Sequence, residues 1–341
     1  MEELIYIIGD TELGKSDVMD DFSDDEVLID FIAKIGHQQN DPRVTLILNG
    51  DIFDFLKMAY KDKYPVEITE DISLWKLEQI ILHHRNIFVA LKNFLSNPKH
   101  SIYFIIGNHD ADLVWPGVQN RIKRELLYGN RIKFDFWFDN SDVHVEHGNL
   151  VDPFFMVNTK KPIVEYKGNK ILSLPWGAQA SISHLVKIKA AFPKEEQMYP
   201  KQTALNAYPD YRQASNKVKF NLAMKKLLID PVKHFGDPNF KTPYVQFFKH
   251  FLRFGSDVLN DEKFIPSRFK SLIKKYPGKK AYILGHSHVL HKSRFASADC
   301  IVTDTWRDEF DMTKNNQKKP KSFAEVKMKN GRLEKAELKV L

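Results

Sequence analysis

Acidic, amide and imidazole side chains follow short apolar runs at five places in this 341-residue chain. The five segments are 9–12 (Gly-Asp-Thr-Glu), 50–54 (Gly-Asp-Ile-Phe-Asp), 107–110 (Gly-Asn-His-Asp), 147–149 (His-Gly-Asn) and 285–288 (Gly-His-Ser-His). Carboxylate oxygens, amide oxygens and imidazole nitrogens are groups with which proteins bind divalent cations. A single segment of this kind is an ordinary turn. The five together, in this order, predict a metal site.

The runs that precede these segments have the length and composition of buried β-strands. Leu4–Ile8, Val44–Leu48 and Ser101–Ile106 are rich in β-branched residues, and helical stretches at Asp24–Ile35 and Glu67–Leu95 separate them. Strands that alternate with helices predict an α/β layered fold. Since sites in such folds lie where strands end at one edge of a sheet, we expect the five segments to meet there.

Further strands are predicted after the run Ser101–Ile106. Ile132–Phe138 is expected to form one strand, and Val143–Glu146 another. Strand character returns near the end of the chain, where Asn330-Gly331 predicts a hairpin turn.

Residues 156–275 differ from the rest in composition and pattern. They contain 22 Lys and Arg against 9 Asp and Glu, which is more excess positive charge than the net +7 of the whole chain. Prolines punctuate helix-like segments such as Ser215–Ile229 and Tyr244–Val258. We therefore predict a catalytic core whose first part is 1–155, a basic helical cap inserted at 156–275, and the final core strands in 276–341.

The order of the five segments resembles the calcineurin-like metallophosphoesterase superfamily. The resemblance covers residues 4–152 and 281–306 and leaves the inserted segment outside it. It implies a four-layer α/β/β/α sandwich with a helical insertion as the cap. It also implies hydrolysis of a phosphate mono- or diester by a hydroxide that two metal ions activate.

The resemblance implies a role for each candidate residue. One divalent cation would bind Asp10, Glu12, Asp51 and His288. A second would bind Asp51, Asn108, His147 and His286. His109 would stabilise charge or protonate the leaving oxygen, and Asp54 would orient it. A carboxylate shared by two cations suits the separation of about 3.5–4 Å that two-metal phosphoryl transfer requires.

Glu12 departs from the family pattern, in which histidine is usual at this place. A carboxylate favours harder cations such as Mn²⁺ over Zn²⁺, so Mn²⁺ is the expected metal, with Fe, Zn and Ni as further candidates. Two consequences are open. The protein is either an active enzyme with an altered metal preference, which we favour, or one whose first cation position is weakly occupied.

The basic segment indicates which partners to expect. Its aromatic residues include five that are spaced as one apolar helix face, namely Tyr244, Phe247, Phe248, Phe251 and Phe254. This face is either the core of the cap or a contact for an acyl chain or a membrane surface. The position of the insertion is similar to that in UDP-2,3-diacylglucosamine hydrolases, which usually have Arg where this chain has His109. We expect an anionic phosphate-ester substrate, with peripheral membrane or lipid contact through the cap as an open alternative.

Composition bears on location and on alternative functions. Cys300 is the only cysteine, and no run reaches the roughly 18 apolar residues of a membrane span. A cytoplasmic protein is therefore expected, with the inner face of the membrane as a second location. A metal-dependent nuclease, whose basic cap would hold nucleic acid, and a metal-binding scaffold without catalysis remain as alternative functions.

Overall fold

A computed structural model describes residues 2–182, 186–224 and 261–341. Its largest sheet has six strands. In chain order they are β1 (Glu2–Ile8), β2 (Arg43–Asn49), β3 (Ser101–Ile105), β4 (Ile132–Asp135), β15 (Ser322–Lys329) and β16 (Arg332–Val340). Across the sheet the order is β16-β15-β1-β2-β3-β4, and the four strands β1 to β4 are parallel. The carboxyl ends of β1, β2 and β3 therefore lie at the same edge.

The second sheet has five strands. They are β5 (Trp137–Asp139), β6 (Val143–Glu146), β10 (Ala281–Leu284), β11 (His291–Phe295) and β12 (Ala298–Val302). Their order across the sheet is β11-β12-β10-β6-β5, with β6, β10 and β12 parallel. The strands that precede the histidine segments 147–149 and 285–288 are thus neighbours.

The two sheets pack face to face. Successive side chains of a strand point to opposite faces, and β1 is apolar on both. Ile5 and Ile7 of β1 lie in a buried cluster with Val145 and Ile283 of the second sheet. Tyr6 lies on the other face, in the cluster that the helices cover.

Helices form the two outer layers. The first sheet is covered by α1 (Asp25–Gly36), α2 (Glu70–His83), α3 (Arg85–Phe94) and α4 (Pro116–Leu126). The second sheet is covered by α9 (Asp261–Lys275), whose Phe269 and Leu272 pack against Tyr282 and Cys300. The predicted four-layer α/β/β/α sandwich is confirmed.

The remaining described elements connect these layers. They are the hairpin β7 (Ile163–Tyr166) and β8 (Asn169–Leu172), the helices α5 (Trp176–Ala180), α6 (Val186–Ala191), α7 (Lys201–Ala207) and α8 (Pro209–Met224), and a small sheet of β9 (Met198–Tyr199), β13 (Phe310–Asp311) and β14 (Gln317–Lys318). Short 3₁₀ helices occur at Ala111–Val114, Gly129–Arg131, Asn149–Val151, Glu195–Gln197 and Met312–Lys314.

The described parts of the predicted cap contact the core at both ends. Leu172 and Ala178 pack in the apolar cluster between the first sheet and its covering helices, and α9 covers the second sheet. The predicted helix Ser215–Ile229 overlaps α8 as far as residue 224, whereas Tyr244–Val258 and its aromatic stripe lie outside the described residues. The domain division therefore stays a prediction. Among the described helices, none is both long enough and apolar enough to cross a membrane.

Two local predictions differ from the structure. Ile132–Phe138 is two strands in different sheets, because the chain passes from one sheet to the other at Phe136. Glu67–Leu95 contains two helices, which meet at His84. The hairpin turn at Asn330-Gly331 is confirmed, and both residues have the positive φ angles that this turn requires.

His84 is a buried charged group that stabilises the helical layer. Its Nδ1 is 3.0 Å from Asp25 Oδ1, and its Nε2 is 3.7 Å from Asp20 Oδ2. Although burial opposes the charged form, these two carboxylates raise the pKa of His84 from 6.5 to about 9. A raised folded-state pKa stabilises the fold fully below the unfolded-state value, and this stabilisation is lost as the pH rises through about 9.

We expect His84→Gln to lower the free energy of unfolding by up to about 3 kcal/mol at pH 6 and by much less at pH 10. Urea denaturation of both proteins at the two pH values measures the difference. A loss that is equal at both pH values would show that packing, and not charge, is the contribution of His84.

Candidate metal centre

The candidate ligands lie where the parallel strands of the two sheets end. Asp10, Asp51 and Asn108 follow β1, β2 and β3, and His147 and His286 follow β6 and β10. Backbone hydrogen bonds join these ends, from Asp10 N to Gly50 O at 3.0 Å and from Gly285 N to His147 O at 2.8 Å. The edges of both sheets therefore contribute to one site, where the structure brings the nine predicted residues together.

The backbone at this site is strained. Five of the seven predicted ligands have left-handed φ angles of 50° to 68°, namely Asp10, Glu12, Asp51, His286 and His288. Non-glycine residues rarely adopt this region, and such strain is concentrated at functional sites. Gly107 is required for a different reason, since a Cβ there would lie 2.1 Å from Asp51 Oδ1.

His147 and Asp51 form the centre of the predicted second cation position. His147 Nδ1 is 2.9 Å from the carbonyl oxygen of Asn49, to which it can donate, so Nε2 is the ring nitrogen that faces Asp51. Nε2 lies 3.0 Å from Asp51 Oδ2, and although burial opposes the charged imidazole, Asp51 and Asp10 raise the pKa of His147 to about 9. Asp51 Oδ1 accepts a hydrogen bond from the backbone N–H of His109 at 2.7 Å.

The buried Asn108 Oδ1 has no hydrogen-bond partner among the described residues, and the flanking residues Gly107 and His109 lie against Asp51. Leaving such an atom unpaired in the interior is costly unless a cation binds it. One ligand atom from each of Asp51, His147 and His286 also lies within 4.8 Å of the others. These residues fit a divalent cation.

Asp152 orients His286 and is not among the predicted site residues. Its Oδ2 is 3.2 Å from His286 Nε2 and 2.6 Å from Arg268 Nη2. Burial opposes ionisation, yet the hydrogen bond and charge of His286 and the charge of Arg268 lower the pKa of Asp152 to about 2. A carboxylate bound to one imidazole nitrogen leaves the other, here Nδ1, for a metal.

We expect Asp152→Asn to weaken divalent-metal affinity about 10–100-fold, because the amide no longer provides the charge that orients the imidazole of His286. Isothermal titration calorimetry with Mn²⁺ and Zn²⁺ measures the affinity, and Asp210→Asn on the exposed surface of α8 is the control. Unchanged affinity in a folded Asp152 variant would show that other contacts hold His286.

The predicted first cation position does not fit a metal in the same way, because two cationic side chains already bind the carboxylate of Glu12. Glu12 Oε2 lies 2.9 Å from Lys57 Nζ, and Glu12 Oε1 lies 3.2 Å from Arg307 Nη1. Burial opposes ionisation, but the charges of Lys57 and Arg307 hold the pKa of Glu12 well below its usual range. Glu12, Asp54 and His109 lie close enough to form a metal-binding group, but the Lys57 ammonium contacts both of its carboxylates.

Lys57 is a buried cation surrounded by acidic side chains. Its Nζ lies within 2.8–3.1 Å of four carboxylates, those of Asp54, Glu12, Glu196 and Asp21. The side chain of Lys57 is buried, which opposes its charge, yet the nearby carboxylates hold its pKa well above the usual value. Lys57 is therefore an ammonium ion.

His288 and Asp10 pair with each other at the same position. His288 Nε2 is 3.2 Å from Asp10 Oδ1, and His288 Nδ1 is 3.5 Å from Glu309 Oε1. Burial and Arg307 oppose the charged form of His288, but hydrogen bonds to Asp10 and Glu309 raise its pKa to about 10. Both ring nitrogens thus face carboxylates.

His109 and Asp54 form the predicted pair. His109 Nδ1 is 3.0 Å from Asp54 Oδ1, and 14% of the His109 side chain is exposed. The imidazole is oriented by Asp54 and is reached from solvent, as a group that contacts substrate must be.

Sequence reasoning missed several charged residues of this site. Lys57 could have been recognised as a single lysine within an otherwise apolar run, 55–58 (Phe-Leu-Lys-Met). Arg307 lies directly after the segment 281–306 that resembles the family. No comparable pattern marks Asp21 or Glu196, whose partners are distant along the chain.

No protein-family model matches the chain, and comparison with curated proteins finds no significant relative. A solved dimetal phosphatase from Danio rerio matches with a TM-score of 0.38 and 10% identity, over 99% of this chain and 95% of that one. A Staphylococcus aureus protein assigned as a 5′-nucleotidase matches with a TM-score of 0.37 and 12% identity, over 99% of this chain and 54% of that one, so this chain spans about half its length. Vacuolar protein sorting 29 from Cryptosporidium parvum matches with a TM-score of 0.34 and 10% identity, over 100% of this chain and 98% of that one.

The layers and the strand-end site are properties of this chain itself. The chain has a four-layer α/β/β/α architecture, with its candidate metal ligands gathered at one edge of the paired sheets.

Proposed function

We propose that this protein is a metal-dependent phosphoesterase that hydrolyses a phosphate mono- or diester. The observation that carries the proposal is the close grouping of Asp51, His147 and His286, together with the His109–Asp54 hydrogen bond and a buried Asn108 Oδ1 that has no partner among the described residues. This arrangement combines a cation site with an oriented imidazole. A Lewis acid and a proton donor for the leaving oxygen both accelerate the hydrolysis of a phosphate ester.

The side chains of the site have two roles, cation binding and proton transfer. Asp51, Asn108, His147 and His286 would hold the cation, which when bound supplies Lewis-acid polarisation of the phosphoryl group and a means of activating water near neutral pH. Asp54 orients the His109 ring through Nδ1, which leaves Nε2 for a phosphate or leaving-group oxygen. A protonated His109 would stabilise the charge that develops there and donate its proton as the ester bond breaks.

The proposed hydrolysis depends on one cation position. The sequence predicts two cations that share Asp51, with Mn²⁺ preferred because Glu12 is a ligand. The set Asp51, Asn108, His147 and His286 instead offers two nitrogens and two oxygens, which suit Mn, Fe, Zn and Ni alike.

The experiment that tests the function is metal removal followed by reloading. Chelator-treated protein should be inactive on p-nitrophenyl phosphate and bis-p-nitrophenyl phosphate, and Mn²⁺, Zn²⁺, Fe²⁺ or Ni²⁺ should restore hydrolysis of at least one. A single-stranded oligonucleotide is assayed in parallel. Cleavage of the oligonucleotide alone would favour the nuclease, and metal binding without any hydrolysis would favour the scaffold.

A further inference from the structure

Lys57 places a fixed positive charge at the predicted first cation position. Two of its four carboxylate partners, Glu12 and Asp54, belong to the predicted site. The Glu12 oxygen that contacts the ammonium at 2.9 Å is one that a metal would need. A dication bound to the same oxygen would be brought close to the ammonium, and the two charges would repel each other.

We infer that this protein binds one divalent cation per chain, on Asp51, Asn108, His147 and His286, and that the Lys57 ammonium and the Arg307 guanidinium provide the positive charge at the first position. This inference rests on the proposed function only in treating the Asp51 position as a metal site. Of the two consequences of Glu12 that the sequence leaves open, the inference selects the weakly occupied first cation position.

The second carboxylate oxygen of Glu12 is occupied as well. Arg307 Nη1 lies 3.2 Å from Glu12 Oε1, and Arg307 Nη2 lies 3.2 Å from Glu309 Oε1, so the guanidinium links the two acids. Asp10 is likewise engaged, by His288 and by the backbone N–H of His286. A metal at this position would have to displace several buried ion pairs.

The inserted segment also contributes to the charges around the ammonium. Glu196 Oε2 is 2.9 Å from Lys57 Nζ, and Lys189 Nζ is 2.6 and 2.5 Å from the two oxygens of Asp21. Asp21 and Glu196 thus hold Lys57 from opposite parts of the chain. Since buried charges persist only when they are paired, the network requires its cations in order to exist.

The test is the number of metal ions bound by the folded wild-type protein. After equilibration with excess Mn²⁺ and removal of unbound ions, elemental analysis should give one Mn²⁺ per chain. Electron paramagnetic resonance should show the signal of isolated Mn²⁺ ions. Two ions per chain, or the signal of an exchange-coupled pair, would overturn this inference. The proposed function would stand if such a protein hydrolysed phosphate esters. Absence of any bound ion would overturn both proposals.

The Lys57→Met variant tests which group excludes the second ion. Removal of the ammonium leaves Glu12, Asp21, Asp54 and Glu196 in excess over their cations, so the count should rise from one Mn²⁺ toward two. The matched control is Lys189→Met, which removes a lysine that contacts Asp21 and Glu196 but none of the predicted ligands, and which should still bind one. A folded Lys57→Met protein that binds one ion would show that the ammonium does not hold the position.

Discussion

Asp51→Asn should abolish hydrolysis and lower the bound metal to background. Asp51 Oδ2 lies 3.0 Å from His147 Nε2, and Oδ1 accepts the His109 N–H, so the carboxylate connects the cation site to the loop of the proton donor. A neutral amide removes the only anionic ligand of the set Asp51, Asn108, His147 and His286. We expect a loss of turnover of at least about 10³-fold, comparable to the loss of a principal electrostatic contact. Steady-state kinetics and elemental analysis measure the two effects.

Two comparisons make this result specific. Asp30→Asn, on the exposed surface of α1, changes the same functional group away from the site and should retain full activity. Circular dichroism establishes that the Asp51 variant is folded. Normal turnover by a folded Asp51→Asn protein would refute the metal centre, and with it the proposed function.

His109→Ala should lower turnover by about 10²–10⁴-fold while the bound metal remains unchanged. The imidazole is hydrogen-bonded to Asp54, which is not among the proposed ligands, and the hydrogen bond from His109 to Asp51 comes from the backbone, which alanine preserves. The loss should be greatest for substrates with poor leaving groups, because these depend most on a proton donor. Kinetics on aryl phosphates of graded leaving-group pKa test this dependence.

The control for His109 is His83→Ala, which removes an exposed histidine whose Nδ1 is 2.8 Å from the carbonyl oxygen of Gln79. It should have wild-type kinetics. If His109→Ala instead lost its metal, His109 would be a ligand and its role as proton donor would be wrong.

The layered fold could be predicted because it depends on local pattern. A strand that is apolar on both faces, such as Leu4–Ile8, has to be buried between two layers, and the helical stretches between such strands supply one of them. The division of Ile132–Phe138 between two sheets could not be predicted. Its apolar pattern does not indicate which neighbouring strands each half will pair with.

The sequence by itself determined which residues can bind metal and where they lie along the chain. Side chains placed directly after neighbouring parallel strands of one sheet reach the same edge, so Asp10 and Asp51 come together. The sequence also determined the His109–Asp54 pair, through its resemblance to a known family.

Only the tertiary structure decided what surrounds Glu12. Apart from Asp54, the partners of Lys57 come from residues 12, 21 and 196, and no period or spacing connects a lysine to acids so far away along the chain. Apolar periodicity reports which face of an element is buried, whereas ion pairs depend on which distant segments fold against each other. The charges that occupy the first cation position are therefore visible only once the chain is folded.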